Sequence, residues 1–173
     1  MAIPVIYPAA QFTAYVSDSL MAKNEKQRAS KTLRYPRNLH FQCLRCTLCC
    51  GNTESRVRRV LMLKTEAERM STFLSKPISE FADAVQGCDP YVYVVKMRTD
   101  TGKCIFLMEK DCLIYPLRPL VCRFYPFEMK TTENGSCEFS PTKECSGVGR
   151  GKLLGKEFFE SLFQLAKREF SSK

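Results

Sequence analysis

Histidine is almost missing from this chain: His40 is the only one among 173 residues. A Ser-His or Cys-His catalytic arrangement needs an imidazole base, so most such arrangements are excluded. His40 lies three residues before Cys43, within reach of a ligand role, but a surface or packing role is the more economical reading. Phosphate-binding loops are missing too. There is no Walker loop and no G-x-G-x-x-G after a strand. The stretch Gly147-Val148-Gly149-Arg150-Gly151 follows no strand signal and reads as a flexible approach to the last helix. No run approaches the ~18 apolar residues that a membrane span needs. The N-terminal stretch has no basic segment leading into an apolar one, and Pro4 and Pro8 interrupt it, so no secretory signal is expected. The expected location is therefore cytoplasmic. Thiols stay reduced there, so the ten cysteines do not read as a disulfide framework.

Cysteine is what the chain has in excess. Cys43, Cys46, Cys49 and Cys50 form C-x-x-C-x-x-C-C, and Cys104, Cys112, Cys122 and Cys145 follow at wider spacing. A C-x-x-C turn aims two sulfurs at one point, and distant thiols complete the site once the chain folds. These eight are the candidate metal ligands. The spacing is neither the C-x3-C-x2-C of radical enzymes nor the bacterial ferredoxin run. Adjacent residues in extended chain point to opposite sides, so Cys49 and Cys50 face two centres, or one ligates while the other packs. All-sulfur ligation suits zinc and iron–sulfur clusters alike.

The formal charge of +9 invites a nucleic-acid partner. Eight thiolates and two divalent centres would bring that value near +5, and Arg45, Lys103, Lys110, Arg118 and Arg123 all lie close to cysteines. Charge balance around sulfur plus a solvated basic surface is the better reading. Aromatic residues do not interleave with Lys and Arg as in a nucleic-acid motif. With 45% apolar and 26% charged residues, the composition is that of a globular protein.

The expected fold class is α+β: a small irregular metal-stapled domain with a short antiparallel hairpin, flanking helices and a C-terminal amphipathic helix. Three parts are expected: residues 1–40 as a basic arm or surface helix (about 11–33), 41–151 as the cysteine-cluster domain, and 152–173 as a helix packed on the core. Within the second part, Val57 to Leu63 reads as a strand. Thr65 and Glu68 read as a capping box opening a helix whose Met70, Phe73 and Leu74 share one face. Ile78, Phe81 and Val85 suggest a short helix closed near Gly87. Tyr91 to Arg98 and Cys104 to Met108 read as a hairpin across Asp100-Thr101-Gly102. A helical turn is expected near Leu117 to Cys122, and an irregular loop region carrying Cys137 and Cys145.

These residues resemble the YkgJ-like cysteine-cluster family, described as zinc- or iron-chelating. Its pattern is matched by Cys43 to Cys50, by Cys104-Ile105-Phe106-Leu107, by Cys112-Leu113-Ile114-Tyr115, by Arg118-Pro119, Cys122-Arg123 and Tyr125-Pro126-Phe127, and by Cys145 before Gly147, Gly149 and Gly151. The match covers about residues 41–151. Ser146 stands where a proline often follows the last cysteine, and Thr47-Leu48 where a glycine is common. Cys88 and Cys137 fall outside the pattern and read as packing residues.

The resemblance implies a cysteine-ligated centre. Some relatives are flagellin lysine N-methylases thought to use a [4Fe–4S] cluster, in longer chains. The expectation is an iron–sulfur protein in redox or methyl-transfer chemistry, with a protein or redox partner. The alternative is a zinc-stabilised interaction module without catalysis. Arg118, Arg123 and Tyr115 are candidate hydrogen-bond donors to the sulfur ligands. Against this, Arg118 is equally suited to pairing with Glu109 or Asp111.

Overall fold

The computed structural model describes residues 33–53 and 56–171. The expected basic helix lies, apart from Leu33, outside the described residues. The architecture is α+β, and the described chain divides into two compact units. One is Arg45–Arg123; the other comprises residues 33–44 and 124–171. In chain order, the second unit begins with β1 (Leu33–Arg34) and β2 (His40–Phe41). The first unit contains β3 (Leu61–Met62), α1 (Lys64–Leu74), α2 (Ile78–Phe81), β4 (Ala82–Ala84), β5 (Tyr93–Val95), β6 (Leu107–Met108), β7 (Asp111–Cys112) and most of α3 (Leu120–Phe124). The second unit resumes with β8 (Phe127–Thr131), β9 (Cys137–Pro141), β10 (Lys152–Leu153) and α4 (Lys156–Ser171).

In the first unit, β5 is the centre of a three-stranded antiparallel sheet, with Leu61 opposite Val94 on one side and Asp83 opposite Val94 on the other. The expected strand over 57–63 contracts to two residues. Helix α1 starts at Lys64 rather than Thr65, and the carboxylate at its first turn is Glu66, not Glu68. Glu66 Oε2 accepts the Leu63 N–H at 2.9 Å, whereas Glu68 faces water beside Lys64 at 3.8 Å. The Thr65 hydroxyl is buried without a hydrogen-bond partner, so it caps nothing. Ala67 and Met70, three residues apart, form the buried stripe, while Phe73 is exposed. Ser75 ends the helix in the left-handed region (φ 52°), its N–H bonding back to Ser71 and Thr72 carbonyls. The second helix runs only to Phe81, because residues 82–84 leave it to pair with β5, and Val85 continues past that strand.

The hairpin expected between Tyr91–Arg98 and Cys104–Met108 forms at its turn end, with Met97 opposite Cys104, Arg98 N–H donating to the Lys103 carbonyl (2.7 Å) and Ile105 N–H to the Lys96 carbonyl (3.3 Å). Sheet pairing with β3 and β4 claims the first segment. The second instead turns back on itself, with Leu107 opposite Cys112. The turn at Gly102 (φ 63°) forms as expected. The core of this unit gathers Val60, Met62, Ala67, Met70, Phe81, Ala82, Val95, Phe106 and Ile114.

In the second unit, β8 and β9 pair antiparallel and β1 adds in parallel to β9. Cys137 therefore sits in a strand, fully buried, not in an irregular loop; alternating Cys137 and Phe139 carry the signal that was masked by the surrounding glycines and prolines. Helix α4 starts four residues later than expected, because Lys152–Leu153 pair with β2. It buries Phe159, Leu162 and Ala166. The Phe159 ring lies 5.2 Å from Tyr35, 5.5 Å from Phe127 and 5.3 Å from Phe139, an aromatic core of the kind whose edge-and-face contacts add to area burial. The glycine-rich strap is pinned rather than flexible. Gln42 N–H donates to the Gly147 carbonyl (3.1 Å), and Gly149 N–H to the His40 carbonyl (2.8 Å). A side chain at Gly147 would run into the Gln42 carbonyl. No helix among the described residues is long and apolar enough to cross a membrane.

Phe81 tests the first unit's core directly. It is 2% exposed, with its ring 5.8 Å from Phe106. Phe81→Ala should cost about 3–5 kcal/mol in urea unfolding, from lost transfer free energy plus the cavity left behind. A loss under about 1 kcal/mol would show that this core is not the one that holds the unit together.

Candidate metal centre

Cysteine sulfur enters the first unit from four separate segments. Cys104 belongs to its buried core, and Cys50, Cys112 and Cys122 pack against that core. Each segment is tied down by its backbone. Arg45 and Thr47 both adopt the left-handed region (φ 51° and 61°), which coils the C-x-x-C-x-x-C-C run into a 310 turn at Leu48–Cys50. A β-branched residue such as Thr47 is costly in that conformation, so the turn is held by its surroundings. Cys50 N–H closes onto the Thr47 carbonyl at 2.9 Å, and the Cys50 carbonyl accepts the Cys104 N–H at 2.7 Å. Cys112 is fixed opposite Leu107, and Leu113 N–H donates to the Phe106 carbonyl at 2.9 Å. Cys122 rides on α3, whose first N–H, at Leu120, donates to Glu66 Oε1 at 2.6 Å.

The sulfurs form one electrostatic set. Cys49 and Cys50 lie 3.7 Å apart, sulfur to sulfur. That hydrogen bond holds the Cys49 thiol well above the ordinary range, helped by burial and opposed by the Arg58 guanidinium. The same bond lowers Cys50, against burial and the neighbouring Cys122, Cys104 and Cys112. Burial raises Cys104, Cys112 and Cys122; nearby thiols push the same way at each, while Arg98 opposes at Cys104 and Arg118 at Cys112 and Cys122. Five thiols and three guanidiniums thus act on one another within a single unit.

The other candidates lie elsewhere. Cys46 is exposed in the first unit. Cys43 and Cys145 belong to the second unit, where Phe41 opposite Val148 and the Gln42–Gly147 bond bring their segments side by side. His40 is exposed, its Nδ1 2.8 Å from the Gly151 carbonyl, a packing role within the β2–β10 strap. Cys88 and Cys137 are buried.

Arg118 and Arg123 spend their hydrogen bonds on carbonyls. Arg118 Nε donates to Tyr115 (3.0 Å), and its guanidinium lies 3.6 Å above the Tyr115 ring. Arg123 donates to the Arg118 and Pro116 carbonyls (2.7 and 3.2 Å). Asp111 pairs with Arg45 at 2.8 Å. The sequence reading passed over Arg58, Arg98 and Glu66. Arg98 Nη2 donates to the Leu107 carbonyl at 2.8 Å, bracing the hairpin between Cys104 and Cys112. Only for Glu66 was there a signal, a glutamate three residues after Leu63 at the helix start.

Among the described residues, no three His, Cys, Asp or Glu side chains already stand at metal-binding spacing. The donor chemistry nevertheless fits a thiophilic metal. The set is all sulfur, and two sulfurs held at about 2.3 Å from one tetrahedral ion stand about 3.8 Å apart, close to the Cys49–Cys50 spacing.

Fold and thiol set together define a cysteine-rich metal-chelating domain. The chain belongs to the CxxCxxCC family of zinc- or iron-chelating domains, whose profile matches residues 42–143. Among curated proteins it is similar to the uncharacterized protein MJ0661 of Methanocaldococcus jannaschii, with 27% identity over 72% of this chain and 68% of that one. It is also similar to the uncharacterized protein MJ0939 of the same organism, with 20% identity over 73% of this chain but only 43% of that one. No solved structure matches it.

Metal affinity should climb with pH. Cys49, Cys104, Cys112 and Cys122 all have raised pKa values, so they keep their protons at neutral pH and must release them to bind. Chelator competition between about pH 6 and about pH 8 should show more than a tenfold gain per pH unit, reporting more than one proton displaced per metal. A flat profile would mean these thiols do not bind as thiolates.

Proposed function

We propose that this protein holds a [4Fe–4S]-type iron–sulfur cluster on thiols of its first unit and uses it in redox or protein-modifying methyl-transfer chemistry. The observation that carries this reading is the convergence of Cys50, Cys104, Cys112 and Cys122 on one core, with the Cys49 sulfur 3.7 Å from that of Cys50. By family pattern Cys46 is a further candidate ligand in the first unit, and Cys43 and Cys145 are candidates in the second. A bound cluster would supply one-electron chemistry, with a potential set by charge and hydrogen bonding around its sulfurs. The chain's own residues set that environment. Arg58, Arg98 and Arg118 place positive charge near thiolates and favour the more reduced, more negative state. Met108, Leu113 and Tyr115, flanking Cys112 in sequence, are exposed, which leaves this side of the unit open to a protein or redox partner.

The 3.7 Å spacing of Cys49 and Cys50 favours a second reading, a single zinc ion that staples the unit and does no chemistry. In a multi-iron cluster each thiolate takes its own iron, so neighbouring ligand sulfurs stand farther apart than two on one ion. A nucleic-acid role driven by the +9 charge ranks below both, and would appear as binding that weakens steeply with salt.

Purification without oxygen separates the readings. The cluster predicts brown protein containing iron and labile sulfide, with absorption near ~400 nm that dithionite bleaches. Zinc predicts colourless protein that unfolds with chelator. Cys104→Ser, Cys112→Ser and Cys122→Ser should each lose most of the metal, whereas Cys88→Ser should keep it. Full metal content in all three of the former variants would overturn both readings.

A further inference from the structure

The buried carboxylate Glu66 joins the sheet-and-helix core to a cysteine-bearing helix. It is 4% exposed. Oε2 accepts the Leu63 N–H at 2.9 Å, at the start of its own helix α1. Oε1 accepts the Leu120 N–H at 2.6 Å, across 54 residues of sequence. Leu120 is the first residue of α3 and is itself buried, and Cys122 lies two residues on. A short helix has little cohesion of its own, so its position depends on what holds its ends. Its first N–H groups have no partner inside the helix, and a carboxylate there satisfies one of them and complements the helix dipole. Charge-assisted bonds of this kind are the strong ones, and a buried pair cannot be replaced by water without cost.

We infer that Glu66 is a positioning residue for the metal centre: its two carboxylate oxygens fix α3 relative to α1 and so hold Cys122 at the thiol cluster. The inference rests on the reading of Cys122 as a ligand. Other segments are registered by backbone contacts, such as Cys104 N–H to the Cys50 carbonyl. The Cys122 segment packs on the core through Val121 and Leu117, and the hydrogen bond that registers it there comes from this side chain. Loss of Glu66 therefore releases Cys122 selectively, while Cys50 and Cys104 keep their places.

The test uses the full chain, reduced and handled without oxygen, with Zn2+ as the probe metal and mass-spectrometric alkylation of each cysteine. Glu66→Gln keeps the size but puts an NH2 group against one of the two N–H donors. Its zinc affinity should fall by about 10–100-fold, the usual effect of losing a group that orients a ligand. Cys122 alone should gain alkylation rate, in the zinc-loaded protein and also without zinc. Glu68→Gln, on the exposed face of the same helix, should change neither. Should Glu66→Gln not fold, Glu66→Asp, one methylene too short to reach Leu120, carries the same readouts. Unchanged Cys122 protection overturns the inference, as does an equal rise at every buried thiol, which would mark Glu66 as a general stabiliser. If the parent chain takes up no zinc or iron, the metal reading fails, yet the zinc-free alkylation rate of Cys122 still decides whether Glu66 positions it.

Discussion

A thiol at the edge of an apolar core is caught between two costs. As a thiolate it loses hydration; as a thiol it cannot grip a metal. Cys104, Cys112 and Cys122 sit at that edge, and burial pushes all three toward the protonated form. The first unit offsets this with positive charge from separate places in the sequence: Arg58 toward Cys49, Arg98 toward Cys104, Arg118 toward Cys112 and Cys122. Arginine suits the task because it stays charged when partly buried and its planar fork can brace backbone at the same time. Arg98 does both, holding the Leu107 carbonyl while its charge acts on Cys104. The basic surplus of the sequence is, in part, the counterweight to its sulfur.

The secondary structure follows from the same need. Strands of two or three residues and a five-residue helix do little for stability alone, but they deliver short segments with fixed ends to one place. The left-handed residues Arg45 and Thr47 belong to this pattern. They are strained backbone at the turn that carries the cysteine run, held by the Cys50–Thr47 and Cys104–Cys50 hydrogen bonds.

The sequence was legible where chemistry is written in residue identity. The α+β class, the C-terminal amphipathic helix and the family came from cysteine spacing and from the apolar period of Phe159, Leu162 and Ala166. It was least legible where two partners compete for one segment. Tyr91 to Arg98 has strong strand character and a turn after it, yet β3 and β4 pair with its first part and leave the expected hairpin partner only the turn end. Cys137 and Phe139 alternate as a strand should, but the nearby Gly135 and Pro141 are loop signals that offset the alternation. Glu66 and Glu68 stand two residues apart on one helix, and periodicity alone does not tell which is buried. The apolar neighbours do: Glu66 borders Ala67 and shares its side of the helix with Met70, whereas Glu68 shares its side with the exposed Thr72.

The first unit is small, about 80 residues, a size at which a single hydrophobic core leaves little margin. Its core of Met, Phe, Val and Ala ends where the thiols begin. On the proposed reading the inorganic centre takes over from there, because metal binding that requires the folded arrangement of ligands contributes its free energy to folding. The coupling runs both ways. Whatever loosens the fold at one ligand segment weakens the centre, and whatever removes the centre returns the buried thiols to their protonated form and takes its binding free energy away from the fold. A domain built like this needs no long helices or wide sheets around its site. It needs each cysteine-bearing segment tied at a fixed point, by backbone at Cys50, Cys104 and Cys112 and by a buried carboxylate at Cys122.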